Sequence, residues 1–317
     1  MSFEWLKKKL GQPGTHGLSR VPLPYSGRLD EEMAVNEISS TAPEAPLKKR
    51  DASNCSPHQL SAYRALSRYS SFNGKNILEI GGAQSCDSAY PFLIDGAASA
   101  IVTGLDHISE EKISSEYNLR VMRADALKLA SIFKPNQFDV VYGLSVIEHI
   151  PTPKIFLDQV YSVLKPGGLA YFEGDPIWSS PKGHHLWIAT WGGPYKDKTS
   201  ANYLFSEWAD AASTNPLPNW SHLLMTPSQM KEYLTEKSIP AQDIDCIIDW
   251  VYHSNEVNRI DMTKIAEAYT NSGLTVLEAN CVRVDVPETT LANLRRQYGD
   301  GIDYGINGVT YVLSKPT

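Results

Sequence analysis

KNILEIGGAQS, residues 75–85, is the stretch from which the rest of the chain can be read. Ile77, Leu78 and Ile80 form an apolar run that leads directly into Gly81, Gly82, Ala83, Gln84 and Ser85. This is the pattern of a buried parallel strand handing over to a helix through a loop too tight for bulky side chains. In open α/β sheets the strand ends line the ligand crevice, and the following helix offers unpaired N–H groups there. The stretch therefore marks a cofactor site.

Outward from it, strand and helix signals alternate. The run at 77–80 is followed by a short helical stretch within 87–96 that carries Tyr90, Phe92, Leu93 and Ile94, then by a strand over 100–105 that ends at Asp106. A short strand at 119–123 precedes Asp125 and the helical ALKLASIF, and 138–142 is a continuous apolar run suited to a sheet covered on both faces. A helix over 155–164 stops at Lys165-Pro166-Gly167-Gly168, with a strand at 169–172 beyond it. The alternation predicts an α/β fold with a doubly wound sheet. Upstream, Ser56-Pro57 opens a helix in which Leu60, Tyr63 and Leu66 recur at helical spacing.

Past residue 175 the rhythm breaks. The block 176–258 holds Trp178, Trp187, Trp191, Trp208, Trp220 and Trp250, six of the seven tryptophans, without simple alternation, and reads as an inserted cap. A helix at 264–272, a strand at 274–285, a helix at 290–298 and a strand at 309–313 then complete the core, ending in an antiparallel hairpin. The expected organisation is an N-terminal arm over 1–56, a cofactor-binding core over 57–175, a substrate cap over 176–258 and a completing segment over 259–317. No internal repeat is evident.

Composition narrows the function classes. A hydrophobic content of 42% and a charged content of 21% across 317 residues are globular values. No apolar run approaches the roughly 20 residues needed to span a bilayer. The opening MSFEWLKKKLGQPG lacks the apolar core and cleavage site of a secretory signal and reads as a terminal helix. Cys55, Cys86, Cys246 and Cys281 are scattered without a CxxC pair, which fits a reducing compartment and gives no zinc or disulfide framework. A net charge of −7 offers no general attraction to polyanions, so no nucleic-acid partner is expected. A cytoplasmic protein without a membrane span is the reading.

Five elements occur in order: EIGGAQS, the Asp that ends VTGLDH, RADALKL, FDVVYGLSVIEHI and VLKPGGLAYFEGD. Together they resemble the class I S-adenosylmethionine-dependent methyltransferases over about residues 70–175, with weaker support from 259–317. The glycine loop alone also suits a nicotinamide-binding fold. That fold wants glycines where Ala83 and Ser85 stand, whereas a donor with no pyrophosphate tolerates these small residues. The resemblance implies a seven-stranded Rossmann-like sheet and S-adenosyl-L-methionine as cofactor. It further implies that Asp106, with neighbouring His107, meets the ribose hydroxyls and that Asp125 with the backbone of Ala126 meets the adenine. Asp125 is equally suited to cap the next helix, and the two jobs are compatible. Glu79 takes the acidic position near the methionine amino end, over a floor of Gly81, Gly82 and Ala83. Leu144, Ser145, Glu148 and His149 fall where cofactor and acceptor meet, with His149 in the cofactor shell.

Methyl transfer from a sulfonium needs an in-line approach by a nucleophile, and a base chiefly when that nucleophile is a hydroxyl. The candidate bases are Asp175, His184 and His185, close to Glu173. Adjacent histidines on an extended chain point to opposite sides and do not chelate together easily, so no metal site is expected. His222 reads as an interior histidine, and Arg259 either binds an acidic group of the acceptor or pairs within the core. The expected function is methylation of a small-molecule acceptor, at a hydroxyl of a sugar or secondary metabolite. N- or C-methylation by positioning alone, or a non-catalytic module that retains the cofactor fold, are the alternatives. The sequence is silent on oligomeric state.

Overall fold

The structure, a computed structural model, describes residues 55–83, 85–105, 108, 111–114, 117–186 and 215–317. Nearly all of the expected arm, together with Gln84, Asp106, His107, Trp187, Trp191 and Trp208, lies outside the described residues.

Parallel strands buried on two faces are uniformly apolar, and this accounts for the centre of the sheet. It consists of β1 (Asn76–Ile80), β2 (Ser99–Gly104), β4 (Leu119–Arg123), β5 (Phe138–Gly143) and β6 (Leu164–Gly174). β3 (Lys112–Ser114) lies at one edge, and β7 (Thr275–Arg283) and β8 (Ile306–Ser314) complete the other. The spatial order is β3-β4-β2-β1-β5-β6-β8-β7. β4, β2, β1, β5 and β6 run parallel, while β3 pairs antiparallel with β4 and β8 pairs antiparallel with both β6 and β7.

Among the described residues the expected seven strands are thus eight. The extra strand, KIS, is a three-residue turn-back on β4 whose one large apolar side chain, Ile113, is 77% exposed. A strand that buries almost nothing leaves no period in the sequence.

Helices cover both faces. On one face α4 (Pro153–Val163) and α8 (Met262–Thr270) set Phe156, Leu157, Val160, Ile265 and Tyr269 against Leu78, Ile80 and Val141. Removing a ring such as Phe156 from this layer would cost about 3–5 kcal/mol. On the other face α1 (Ser61–Leu66) and α2 (Tyr90–Ile94) pack Leu66 and Phe92 on Ile77, Val102 and Tyr142. The segment between β4 and β5 begins as a 3-10 turn, Ala126–Lys128, before the single-turn α3 (Leu129–Ile132). Asp125 caps it by accepting from Leu127 N at 2.9 Å.

Beyond β6 the described chain forms α5 (Ser221–Leu224), α6 (Pro227–Glu236) and α7 (Ala241–Tyr252). These helices enclose a core of their own, in which Leu186, Met230, Leu234, Ile247 and Trp250 are buried. Thr226 opens α6 with a capping box to Gln229. Arg259 closes α7, its Nε donating to Val251 O at 3.0 Å, where the last carbonyls of a helix lack internal partners. α9 (Glu288–Tyr298) joins β7 to β8.

Candidate functional site

At the carboxyl end of β1 the chain must turn without side-chain bulk. Gly81 has φ +73°, a left-handed conformation, and a Cβ there would stand 3.2 Å from Val146 Cγ2. Gly82 is packed more tightly, since an added Cβ would fall 2.5 Å from both Glu79 Cδ and Val102 Cγ1. Gly82 N donates to Thr103 O at 3.0 Å and Thr103 Oγ1 to Glu79 O at 2.8 Å, tying the loop to β2. Gly81 and Ala83 keep exposed faces.

Glu79 itself points inward. It is buried and accepts from Ser88 Oγ and from Tyr142 Oη, the latter at 2.7 Å. Burial pushes its carboxyl up to about 7, although both hydrogen bonds oppose the shift. It braces the loop from beneath. The exposed backbone at Gly81 and Ala83 is what a sulfonium amino acid needs to lie close to the strand end, so the loop fits the methionine portion of S-adenosylmethionine.

β5 ends in a second bare turn. Leu144 is partly exposed, Ser145 is exposed with φ +49°, and Val146 N donates to Glu173 O at 3.0 Å. At β4 the cap contact of Asp125 leaves its second oxygen 3.3 Å from Lys128 Nζ. Both the capping role and an edge position at the strand end therefore hold for Asp125.

At the ends of β5 and β6, sequence reasoning overlooked His58. Its Nε2 lies 2.5 Å from Glu173 Oε1 and 3.3 Å from Ser145 Oγ. Glu173 Oε2 also accepts from Tyr171 Oη at 2.7 Å and Ser61 Oγ at 3.1 Å. Burial works to lower the imidazole's pKa, but the Glu173 charge and hydrogen bond together outweigh it and raise it. One histidine just ahead of α1 thus fastens the chain to the ends of β5 and β6. The only local signal was its place beside the Ser56-Pro57 helix start, and the partner stands far along the chain.

A second polar group forms where the cap meets the core. Glu148 and His149 sit on the 3-10 turn Ile147–His149 after β5. One ligand atom from each of Glu148, His149 and His185 lies within 4.8 Å of the others. The rings of His149 and His185 stand 5.5 Å apart, edge to face. Asp175 joins through its backbone, its N donating to Glu148 Oε1 at 3.3 Å, and its Oδ1 accepts from Asn307 Nδ2 at 2.5 Å. Burial drives the Glu148 carboxyl well above its usual range and lowers His185 to about 3, so that imidazole is neutral at ordinary pH.

The adjacent histidines part company. His184 Nδ1 accepts from Leu186 N at 3.0 Å, and its ring lies 5.3 Å from that of His222. His222 Nε2 donates to Trp178 O at 2.7 Å, and Trp250 Nε1 donates to His184 O at 2.6 Å. Burial lowers His184 well below the usual imidazole range and His222 to about 4. His185 therefore joins the polar group beside the strand ends, while His184 and His222 pack with Trp178 in the cap.

The model of a methyltransferase domain matches residues 84–172, which begin just after the Gly81–Ala83 turn and run through β5 into β6. The ubiquinone biosynthesis O-methyltransferase of Pseudomonas putida (strain GB-1) is 30% identical over 144 residues, covering 41% of this chain and 57% of that protein. The enzyme of the same name from Pseudomonas entomophila (strain L48) is 32% identical over 129 residues, covering 37% and 51%. The chain thus spans about half the length of the curated relatives it matches. A solved S-adenosylmethionine-dependent methyltransferase from Mesorhizobium loti aligns at a TM-score of 0.43 and 13% identity, covering 84% of this chain and 100% of that one. That score is too low to carry weight by itself. Strand order, the bare turns after β1 and β5 and the matched domain agree: residues 84–172 are those of a methyltransferase domain, and the sheet around them is similar to that of the class I S-adenosylmethionine-dependent methyltransferases.

Proposed function

We propose that the chain transfers a methyl group from S-adenosylmethionine to a hydroxyl of a small molecule, a sugar or secondary metabolite, held between the strand ends and a cap formed by 176–258. The observation that carries this reading is that the turns after β1 and β5 pack together, Gly81 against Val146, and that the chain runs on from Val146 into the polar group of Glu148, His149 and His185, to which the partly buried Asp175 is tied through Glu148. The names of the relatives support oxygen as the atom methylated.

When bound, S-adenosylmethionine supplies an electrophilic methyl carbon on a sulfonium. The chain's own task is to bring a hydroxyl oxygen in line with it and to receive the hydroxyl proton. Asp175 or a cap histidine would take the hydroxyl proton as the oxygen is methylated, the donor sulfur keeping the electron pair of its broken carbon bond. Of the two histidines, His185 is the better placed, because His184 is engaged inside the cap. The Gly81–Ala83 and Leu144–Ser145 backbones, with Asp125, Ala126 and His149, would hold the donor.

Calorimetry with S-adenosylmethionine tests the first step, and absence of binding at near-millimolar donor would sink the proposal. Release of S-adenosylhomocysteine with a panel of hydroxylated acceptors tests the second. Asp175→Asn is expected to lower turnover by about 10²–10⁴ while leaving donor binding in place.

A further inference from the structure

We propose that Glu148, His149 and His185 form a binding site for a single divalent cation of the borderline class, such as Zn2+, at the junction of cap and core. One ligand atom from each of the three lies within 4.8 Å of the other two. The donors come from two separate segments, the 3-10 turn after β5 and the first part of the cap.

The hydrogen bonds already select the atoms that face a cation. His149 Nδ1 donates to Glu256 O at 2.5 Å and His185 Nδ1 to Gly183 O at 2.8 Å. A proton held on Nδ1 by a backbone carbonyl places the lone pair on Nε2, the outer support that metal-ligating histidines commonly carry. Glu148 is tethered through Oε1 by Asp175 N at 3.3 Å, while its buried Oε2 has no hydrogen-bond partner among the described residues. A carboxylate oxygen buried in that way is costly unless something positive meets it.

The surroundings are built rather than accidental. Asn258 Nδ2 donates to Ile147 O at 2.7 Å and to Ile150 O at 2.9 Å, and Asn258 N donates to Glu148 O at 2.9 Å. These bonds fix the turn that carries two of the donors. Gly174 gives the carboxylate room, since a Cβ there would stand 2.6 Å from Glu148 Oε2.

Ligand atoms around one Zn2+ at bond lengths of about 2.0–2.2 Å stand roughly 3.4 Å apart, so binding draws the trio together by roughly an ångström and a half at most. Two imidazoles and one carboxylate favour Zn2+ and similar ions over Mg2+, which prefers oxygen ligands. Three protein ligands also leave a coordination position open. A hydroxyl placed there would have its pKa lowered, and with His185 on the cation the base role would pass to Asp175. That catalytic use rests on the function proposed above, whereas cation binding does not.

The test uses the full chain after treatment with a chelator, titrated calorimetrically with Zn2+ and, separately, Mg2+. One Zn2+ per chain is expected, with Mg2+ at least about tenfold weaker. Glu148→Gln, His149→Ala and His185→Ala should each weaken Zn2+ by about tenfold or more, and His222→Ala should leave it unchanged. His149→Ala, at a partly exposed ring, keeps the test decisive if a buried variant does not fold. Zn2+ affinity that survives all three substitutions marks adventitious binding elsewhere and overturns the site, as does a wild-type chain that binds no Zn2+ or binds Mg2+ equally well. S-adenosylmethionine titrated into each preparation separates the questions: donor binding without a Zn2+ site removes only the cation, and a Zn2+ site without donor binding removes only the methyltransferase reading.

Discussion

Glu79 illustrates how a single residue couples the Gly81–Ala83 loop to stability. Its carboxyl, buried beneath Gly82 and raised to about 7, holds a proton in the folded chain that the unfolded chain has already released over part of the acidic range. Stability should therefore fall as pH rises from about 5 toward 7, by about 3 kcal/mol at most, and stay at the lower level above. Glu79→Gln removes this dependence, so urea unfolding at about pH 5 and pH 8 should show the variant gaining on the wild type at the higher pH. A constant difference would contradict the assignment. His58 has the opposite sense. Its pKa is raised by Glu173 against burial, so the pair's contribution is complete below the ordinary imidazole value and is lost as pH rises through the raised one. His58→Gln should therefore cost more stability at about pH 6 than at about pH 9, and equal losses at both would show that the pair is not charge-linked.

Among the elements, the 3-10 turn Ile147–His149 depends on a residue outside it. Asn258 satisfies two backbone carbonyls of that region with its side chain and a third with its backbone N. Asn258→Ala leaves two carbonyls without their side-chain donor, at an expected cost of about 2–4 kcal/mol measured by denaturant unfolding. A loss below about 0.5 kcal/mol would show that the turn holds itself. The sequence made the strands and bare loops legible because a strand buried on both faces writes itself as an unbroken apolar run, as at 138–142, and a tight exit demands Gly81 and Gly82. It did not reveal β3, whose three residues bury little, nor Asn258, whose partners stand 108 and 111 positions away. His58 with Glu173 and His185 with Glu148 were hidden for the same reason. Each is a pairing between separate elements, and nothing local to one partner encodes the other.

At the scale of the molecule, the loops proposed to hold the donor follow strands of the sheet, while Leu186, Met230, Leu234 and Ile247 form a separate core under α6 and α7. If the cap only encloses the acceptor, weakening that second core should spare donor binding. Leu234→Ala, at a fully buried position, is expected to destabilise by about 2–5 kcal/mol yet keep S-adenosylmethionine affinity within about twofold. Donor at about a hundred times its dissociation constant contributes about 2.7 kcal/mol to the folded state, which should raise the melting temperature of wild type by roughly 4–8 °C. The same rise should appear in Leu234→Ala from a lower baseline, because the proposed donor site lies on the sheet and the mutation acts on the second core. A variant that loses the ligand-induced rise along with its baseline stability would mean that the cap core and the donor loops fold as one cooperative unit, and the acceptor-only role of 176–258 would have to be abandoned.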